Sequence, residues 1–211
     1  MLSVLIRLTL LYVGLALFGF GIGLLLLADL GVPPWDVFHT GLADQLGWSL
    51  GPTIVITSFV VLLAWIPLRE RPGLGTVSNA VLVGTFIDLS THVLPDTTPD
   101  AMVVRIALVV AGITINGVAT GMYIGARFGP GPRDGLMTAI SRRRWNVRTV
   151  RTAIEVAVLA AGIALGGQIG VATVVFAVAI GPIAHRTIPF FTRLATSAPA
   201  PATTWVPAVR D

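Results

Sequence analysis

Apolar positions along the chain gather into windows of about 20 residues, each closed by proline, glycine or charge. Six such windows are present, from Val4 to Leu30, Pro52 to Leu68, Gly75 to Leu94, Met102 to Phe128, Val147 to Gly166 and Ile169 to Ile188. A helix rises about 1.5 Å per residue and the hydrocarbon core of a bilayer is about 30 Å thick, so each window is long enough to cross. The pattern predicts an all-α polytopic membrane protein with six transmembrane helices. The fifth and sixth meet at Gly166-Gly167-Gln168-Ile169, which predicts a tight hairpin turn. Two half-apolar stretches, 35–46 and 133–144, follow the first and fourth windows and are too short to span. In the first of them Val37, Phe38, Leu42 and Leu46 fall near helical spacing. These stretches read either as interfacial helices or as re-entrant half-helices, the latter tolerated only where protein or water covers irregular backbone.

The breaks that precede the short stretches are related. A shift of 98 positions sets Gly19–Thr40 against Gly117–Thr138, and seven of the 22 pairs are identical: Gly19/Gly117, Gly23/Gly121, Ala28/Ala126, Gly31/Gly129, Pro34/Pro132, Asp36/Asp134 and Thr40/Thr138. Chance would give about one or two. At a shift of 97, Gly73, Thr76, Ala80 and Gly84 meet Gly170, Thr173, Ala177 and Gly181. The chain therefore reads as two three-span repeats, 1–94 and 95–193, followed by a Pro- and Ala-rich tail, 194–211, expected to be disordered and cytoplasmic. An odd number of spans turns the second repeat upside down, the inverted-repeat plan of many secondary transporters. Gly31 and Pro33 end the first span, and Asp36 is placed to start the next helix as a cap near the positive end of its dipole, with Asp134 in the matching position.

Charge supports that topology. All fourteen basic residues are arginine, and with the amino terminus inside, thirteen of them fall in the inner segments; Arg105 is the exception. Both termini are thus expected to be cytoplasmic. Hydrophobic residues make up 55% of the chain and charged ones 11%, and the mean hydropathy is +0.87, which sets lipid rather than nucleic acid as the main partner. The arginines are accounted for by topology, so nucleic-acid binding is not expected. The apolar run after Arg7 is longer than the 7–15 residues or so of a secretory signal and is read as a retained first span. There is no cysteine, which removes disulfides and thiolate chemistry. No zinc-protease, nucleophile-elbow or phosphate-loop motif is present, so no catalytic residue, metal site or cofactor is expected.

Ionisable groups inside a span are costly and are candidates for a solute or ion pathway. Asp88 lies in the outer third of the third span, with Arg105 as its expected structural partner, and Glu155 lies roughly 12 Å into the fifth, one turn after Arg151. Asp36 and Asp134 either cap helices or line one pathway from opposite ends. Asn79 and Asn116 either hydrogen-bond a permeant species or join helices. Trp35 and Arg133, mismatched between the repeats, are read as an outer aromatic-belt residue and an inner positive charge. Gly19, Gly23, Gly117, Gly121 and Gly125, at four-residue spacing, are read as helix-packing positions rather than a nucleotide loop.

The segments Gly21–Ala43, Arg71–Leu89 and Gly125–Arg143 together resemble the YczE/YitT-type family of bacterial integral membrane proteins, over essentially the whole chain up to Arg193. The resemblance implies a multi-pass inner-membrane protein; the family supplies no assigned activity and no catalytic residues to transfer. The YitT branch carries a soluble carboxy-terminal domain that has no counterpart after Arg193, which points to the YczE-like branch. Two functions remain: a small secondary transporter or channel for a small solute or ion, and a non-transporting accessory protein that supports a membrane-associated biosynthetic or regulatory system. Six short spans enclose little volume, so a homo-oligomer stays open.

Overall fold

The computed structural model describes residues 2–95, 97–142 and 146–196, and among these the regular elements are all helices. The helices are α1 (Leu2–Ala28), α2 (Pro34–Leu46), α3 (Leu50–Leu63), α4 (Trp65–Leu68), α5 (Leu74–Val93), α6 (Met102–Gly125), α7 (Pro132–Ser141), α8 (Val147–Ala164) and α9 (Val171–Thr196). Asp96, Arg143, Arg144 and the tail from residue 197, with Trp205 and Arg210, lie outside the described residues. The last helix runs to Thr196, past both the predicted span end at Ile188 and the predicted tail start, with Pro182 and Pro189 inside it. Its extension is held where Phe191 packs on Gly125.

Among the described residues five helices are long and apolar enough to cross a bilayer: α1, α3 continuing into α4, α5, α6 and α9. The sequence pattern counts six. The difference is α8, whose 18 residues include Arg148, Arg151 and Glu155. Large apolar side chains such as Val93, Val103, Val171 and Val178 are exposed on the outer faces, as lipid contact demands.

The core is built on α1, the most buried of the apolar helices, with Leu11, Leu15, Ile22 and Leu25 fully enclosed. It packs most extensively on α6, and the two backbones come close where Gly14 meets Ala119 and Tyr123 and where Gly112 meets Gly21. On its other side α1 sets Gly19 and Gly23 against Phe86 and Ser90 of α5. Correspondingly α6 sets Gly117, Gly121 and Gly125 against Ile183, Thr187 and Phe191 of α9. In each case the glycine lets the neighbouring helix approach without a side chain between them.

The ends of α1 and α6 are closed by exchanged contacts. Arg7, 2% exposed near the start of α1, donates through Nε to Ala126 O at 2.9 Å and through its terminal nitrogen to Arg127 O at 3.0 Å. Arg105, near the start of α6, donates to Ala28 O at 2.7 Å and to Asp29 O. These are the same contacts shifted by 98. Beyond each helix end the chain adopts positive φ at Asp29 (48°) and Gly31 (106°), and likewise at Arg127 (60°) and Gly129 (115°). A side chain at Gly31 would meet the backbone of Gly170, and one at Gly129 would meet Thr76 and Gly73. Leu30 O then accepts from Ala172 N at the start of α9, and Phe128 O from Gly75 N at the start of α5, both at 2.8 Å. The sole outer arginine of the sequence pattern, Arg105, is thus the counterpart of Arg7 and satisfies carbonyls that a helix terminus leaves bare.

A hydrogen bond from a charged donor to a buried carbonyl contributes about 1.5–3 kcal/mol. Arg7→Met should therefore lower stability by about 2 kcal/mol and Arg105→Met, whose site is wetter, by about 1 kcal/mol. Unfolding in mixed SDS micelles followed by circular dichroism measures both; negligible losses in both would remove the exchanged caps as a stabilising device.

Candidate functional site

The helices α2 and α7 each open with a proline, Pro34 and Pro132, at the first helical positions, where the missing N–H is an unpaired donor in any case. Two residues later come Asp36 and Asp134. The first turns of both helices line a single cavity of about 160 Å³. The repeat-related pairs Trp35 with Arg133, Asp36 with Asp134, Asn79 with Phe176, and Val83 with Ile180 all face it. Tyr123 of α6 and Arg151 and Glu155 of α8 complete its polar wall.

Neither aspartate caps a helix. The N-cap positions are Pro33 and Gly131, without side-chain caps, and both carboxylates sit inside the first turn with other partners. Asp36 is 2% exposed, and His39 Nδ1 lies 3.1 Å from its Oδ1. A carboxylate only accepts, so the imidazole tautomer that fits carries its proton on Nδ1. Asp134 accepts from the Tyr123 hydroxyl at 2.6 Å. Glu155 accepts from Arg151 Nε at 2.9 Å, the pairing expected one turn apart.

Trp35 and Arg133 depart from the sequence reading most sharply. They are expected at opposite membrane faces; instead the Arg133 guanidinium carbon stands 5.0 Å from the centroid of the Trp35 ring, and its terminal nitrogen is 4.0 Å from Asp36 Oδ1. Both breaks turn their short helices inward, so the amino-terminal ends converge. Trp35 Nε1 is buried with no hydrogen-bond partner among the described residues.

Two of the candidates lie elsewhere. Asp88 accepts from Gly51 N at 2.7 Å and from Ser49 Oγ at 3.2 Å, which closes the amino terminus of α3, while its expected partner Arg105 is committed to the end of α1. Asn116 is fully buried between α1 and α6, donating to Gly112 O at 3.2 Å. The structure therefore brings Asp36, Asp134, Asn79 and Glu155 to one cavity and leaves Asp88 and Asn116 out. Sequence reasoning missed Tyr123 and underrated Trp35, Arg133 and Arg151. The mismatch of Trp35 with Arg133 inside an otherwise matched break was the available signal. No cluster of three or more His, Cys, Asp or Glu able to hold a metal ion occurs among the described residues.

Side-chain exposure rises from 2% at Asp36 through 21% at Arg133 and 28% at Glu155 to 49% at Arg151, so α8 supplies the most exposed polar wall of the cavity. The corresponding seam in the first half is shut. There α3 packs along α5, Gly51 lies against Gly84, and Ile54 and Ser58, which match Arg151 and Glu155 at a shift of 97, are buried. In the second half α8 does not pack along α9, and a side chain added at Gly181, the counterpart of Gly84, would meet nothing within 4 Å.

A family described as "Family of unknown function (DUF6198)" matches residues 5–189. The chain belongs to that family. Its relatives include an uncharacterized protein of Haemophilus influenzae, 36% identical over 85% of this chain and 82% of the relative. They also include the uncharacterized membrane protein YczE of Bacillus subtilis, 34% identical over 87% of this chain and 86% of the relative. The YczE-like resemblance thus holds, and with the apolar helices it makes this a membrane protein. No solved structure matches.

Because the chain has no cysteine, the double variant Trp35→Cys/Arg133→Cys provides a direct check of the convergence. A short bis-maleimide should join the two positions within one chain. Labelling of the two sites from opposite sides of the membrane with no cross-link would refute it.

Proposed function

We propose that the chain is a small secondary transporter for a small solute, built as two inverted three-span repeats with both termini in the cytoplasm of a bacterial cell. The cavity between Asp36 and Asp134 is its solute site. The observation that carries this reading is that one cavity, mostly apolar but with charged groups from both halves, is lined by corresponding positions of both repeats at the meeting point of two broken helices. Discontinuous helices whose ends converge on a site between repeats are the recurring plan of such transporters. The reciprocal contacts at Arg7 and Arg105, and at Leu30 and Phe128, support the inversion, because a contact that recurs with its two partners exchanged is what a two-fold relation produces.

On this reading α8 is the sixth span. Its Arg151 and Glu155 are paired with each other on the cavity side, which offsets part of the cost of carrying charge into the membrane. The short helices α2 and α7 are re-entrant, their polar first turns covered by α6, α8 and α9. Access follows from the two unequal seams. The cavity now opens between α8 and α9 while α3 is held on α5 by Asp88 and the Gly51–Gly84 contact. The opposite state docks α8 on α9 at Gly181 and releases α3 from α5.

Flux in proteoliposomes tests both parts. Asp36→Asn and Asp134→Asn should each reduce solute flux by about tenfold or more without loss of folding. Gly181→Leu adds a side chain to open space here, so stability should change by no more than about 0.5 kcal/mol. Flux should nevertheless fall by about tenfold, because the opposite state cannot close. Undiminished flux in Gly181→Leu would remove the exchange of seams. An absence of flux for every solute tried, together with stable co-purification of a partner, would instead support the accessory role.

A further inference from the structure

The cavity already holds a cation, and it belongs to the protein. Arg133 reaches from the second repeat onto the face of Trp35 in the first, 5.0 Å from the ring centroid, with a terminal nitrogen 4.0 Å from Asp36. An aromatic face beside a buried carboxylate is the chemistry that recognises organic cations. The ion pair is loose: 4.0 Å is long for a charge-assisted contact, and the bond to Asp36 is made by His39 instead. Phe18, Tyr123 and Phe176 extend the aromatic lining. The wall carries three carboxylates, Asp36, Asp134 and Glu155, against two guanidiniums, Arg133 and Arg151.

We infer that the cargo is a small organic monocation of the guanidinium or alkylammonium class, which takes the place of Arg133 on Trp35 and Asp36. This rests on the transporter reading for its name as cargo, but the binding site stands on the Trp35–Arg133–Asp36 geometry alone. The size agrees: an engineered apolar cavity of about 150 Å³ admits benzene, so 160 Å³ suits a solute of that order.

The energetics give the arginine a purpose. Asp36 is 2% exposed, and a buried carboxylate stripped of its positive partner is strongly unfavourable. Arg133 and Trp35 tie α7 to α2, so parting the two short helices while the cavity is empty leaves Asp36 with its His39 hydrogen bond and no positive charge beside it. An incoming cation supplies the replacement charge. It frees Arg133, and with it α7, only when the site is filled. The tethered guanidinium is thus both competitor and gate, and it lowers the apparent affinity for cargo by the fraction of time it occupies the niche.

Methylguanidinium is the probe, titrated into the purified full chain in detergent micelles, with binding read by calorimetry and by tryptophan emission. Saturable binding is expected, accompanied by an emission change that Trp35→Leu abolishes. Asp36→Asn should lose binding. Arg133→Gln should bind about fivefold more tightly or better, since the internal competitor is gone. Acetate probes the opposite charge. Tighter binding of acetate than of methylguanidinium, or weaker methylguanidinium binding in Arg133→Gln, overturns the assignment. Should Arg133→Gln not fold, Arg133→Lys serves, because an ammonium stacks and forks less well than a guanidinium and should also tighten binding; no gain there overturns the assignment equally. Proteoliposomes separate the two levels. Methylguanidinium binding without flux keeps the cation site and removes transport, whereas flux of another solute without cation binding keeps transport and removes the cation.

Discussion

The structure depends on how two antiparallel helices, α1 and α6, finish against one another. A helix end leaves carbonyl groups without partners, and in lipid each unsatisfied group costs several kcal/mol. Arg7 and Arg105 supply those partners across the pair, each from the start of one helix to the end of the other. Because both ends are held, the chain can leave each helix in an abrupt left-handed turn at Asp29–Gly31 and Arg127–Gly129 without fraying. Those turns throw α2 and α7 inward, and the cavity is where they meet. Removal of the exchanged caps would therefore act on the site as well as on the helices.

The same duplication is obeyed in some places and broken in others, and the breaks carry the chemistry. Several hydrogen bonds repeat pair for pair: Gly73 N to Thr76 Oγ1 and Gly170 N to Thr173 Oγ1 are both 3.2 Å. Departures are concentrated at the cavity and its seam. Trp35 faces Arg133, Asn79 faces Phe176, and Ile54 and Ser58 of a closed seam correspond to Arg151 and Glu155 of an open one. A framework shared by both halves thus holds a site whose two walls differ.

Much of this was written in the hydrophobic pattern. The helix starts at Met102 and Val147 and the matched breaks follow from apolar periodicity and proline and glycine chemistry, which act locally, whereas the tight hairpin expected at 166–169 is a longer connection, 165–170, between helices that do not pack along one another. The convergence of the short helices was not legible, because it depends on how two distant breaks turn relative to one another. Arg133 was absorbed by the rule that places arginines on the inner side, although that rule cannot tell an interfacial arginine from one that stacks on an indole. Asp88 looked like a pathway residue because it is charged within a span; its partners, Gly51 N and Ser49, lie 37 and 39 residues away and only packing reveals them. The caps expected of Asp36 and Asp134 failed for a related reason: with proline at the first helical position, the cap positions fall three residues earlier, at Pro33 and Gly131.

The six-residue turn between α8 and α9 has a mechanical consequence. The turn end of α8 is clamped on α2, where Gly162 and Gly167 lie against Val37 and Phe38, while its length stands clear of α9. A rod fixed at one end is a lever. From Gly162 to Arg151 is about 16 Å along the helix, so a pivot of about 15° carries Arg151 through about 4 Å. Since the start of α8 packs on α7, that swing drags the helix bearing Arg133, and a modest rotation at one glycine-rich turn is geared into movement at the indole itself.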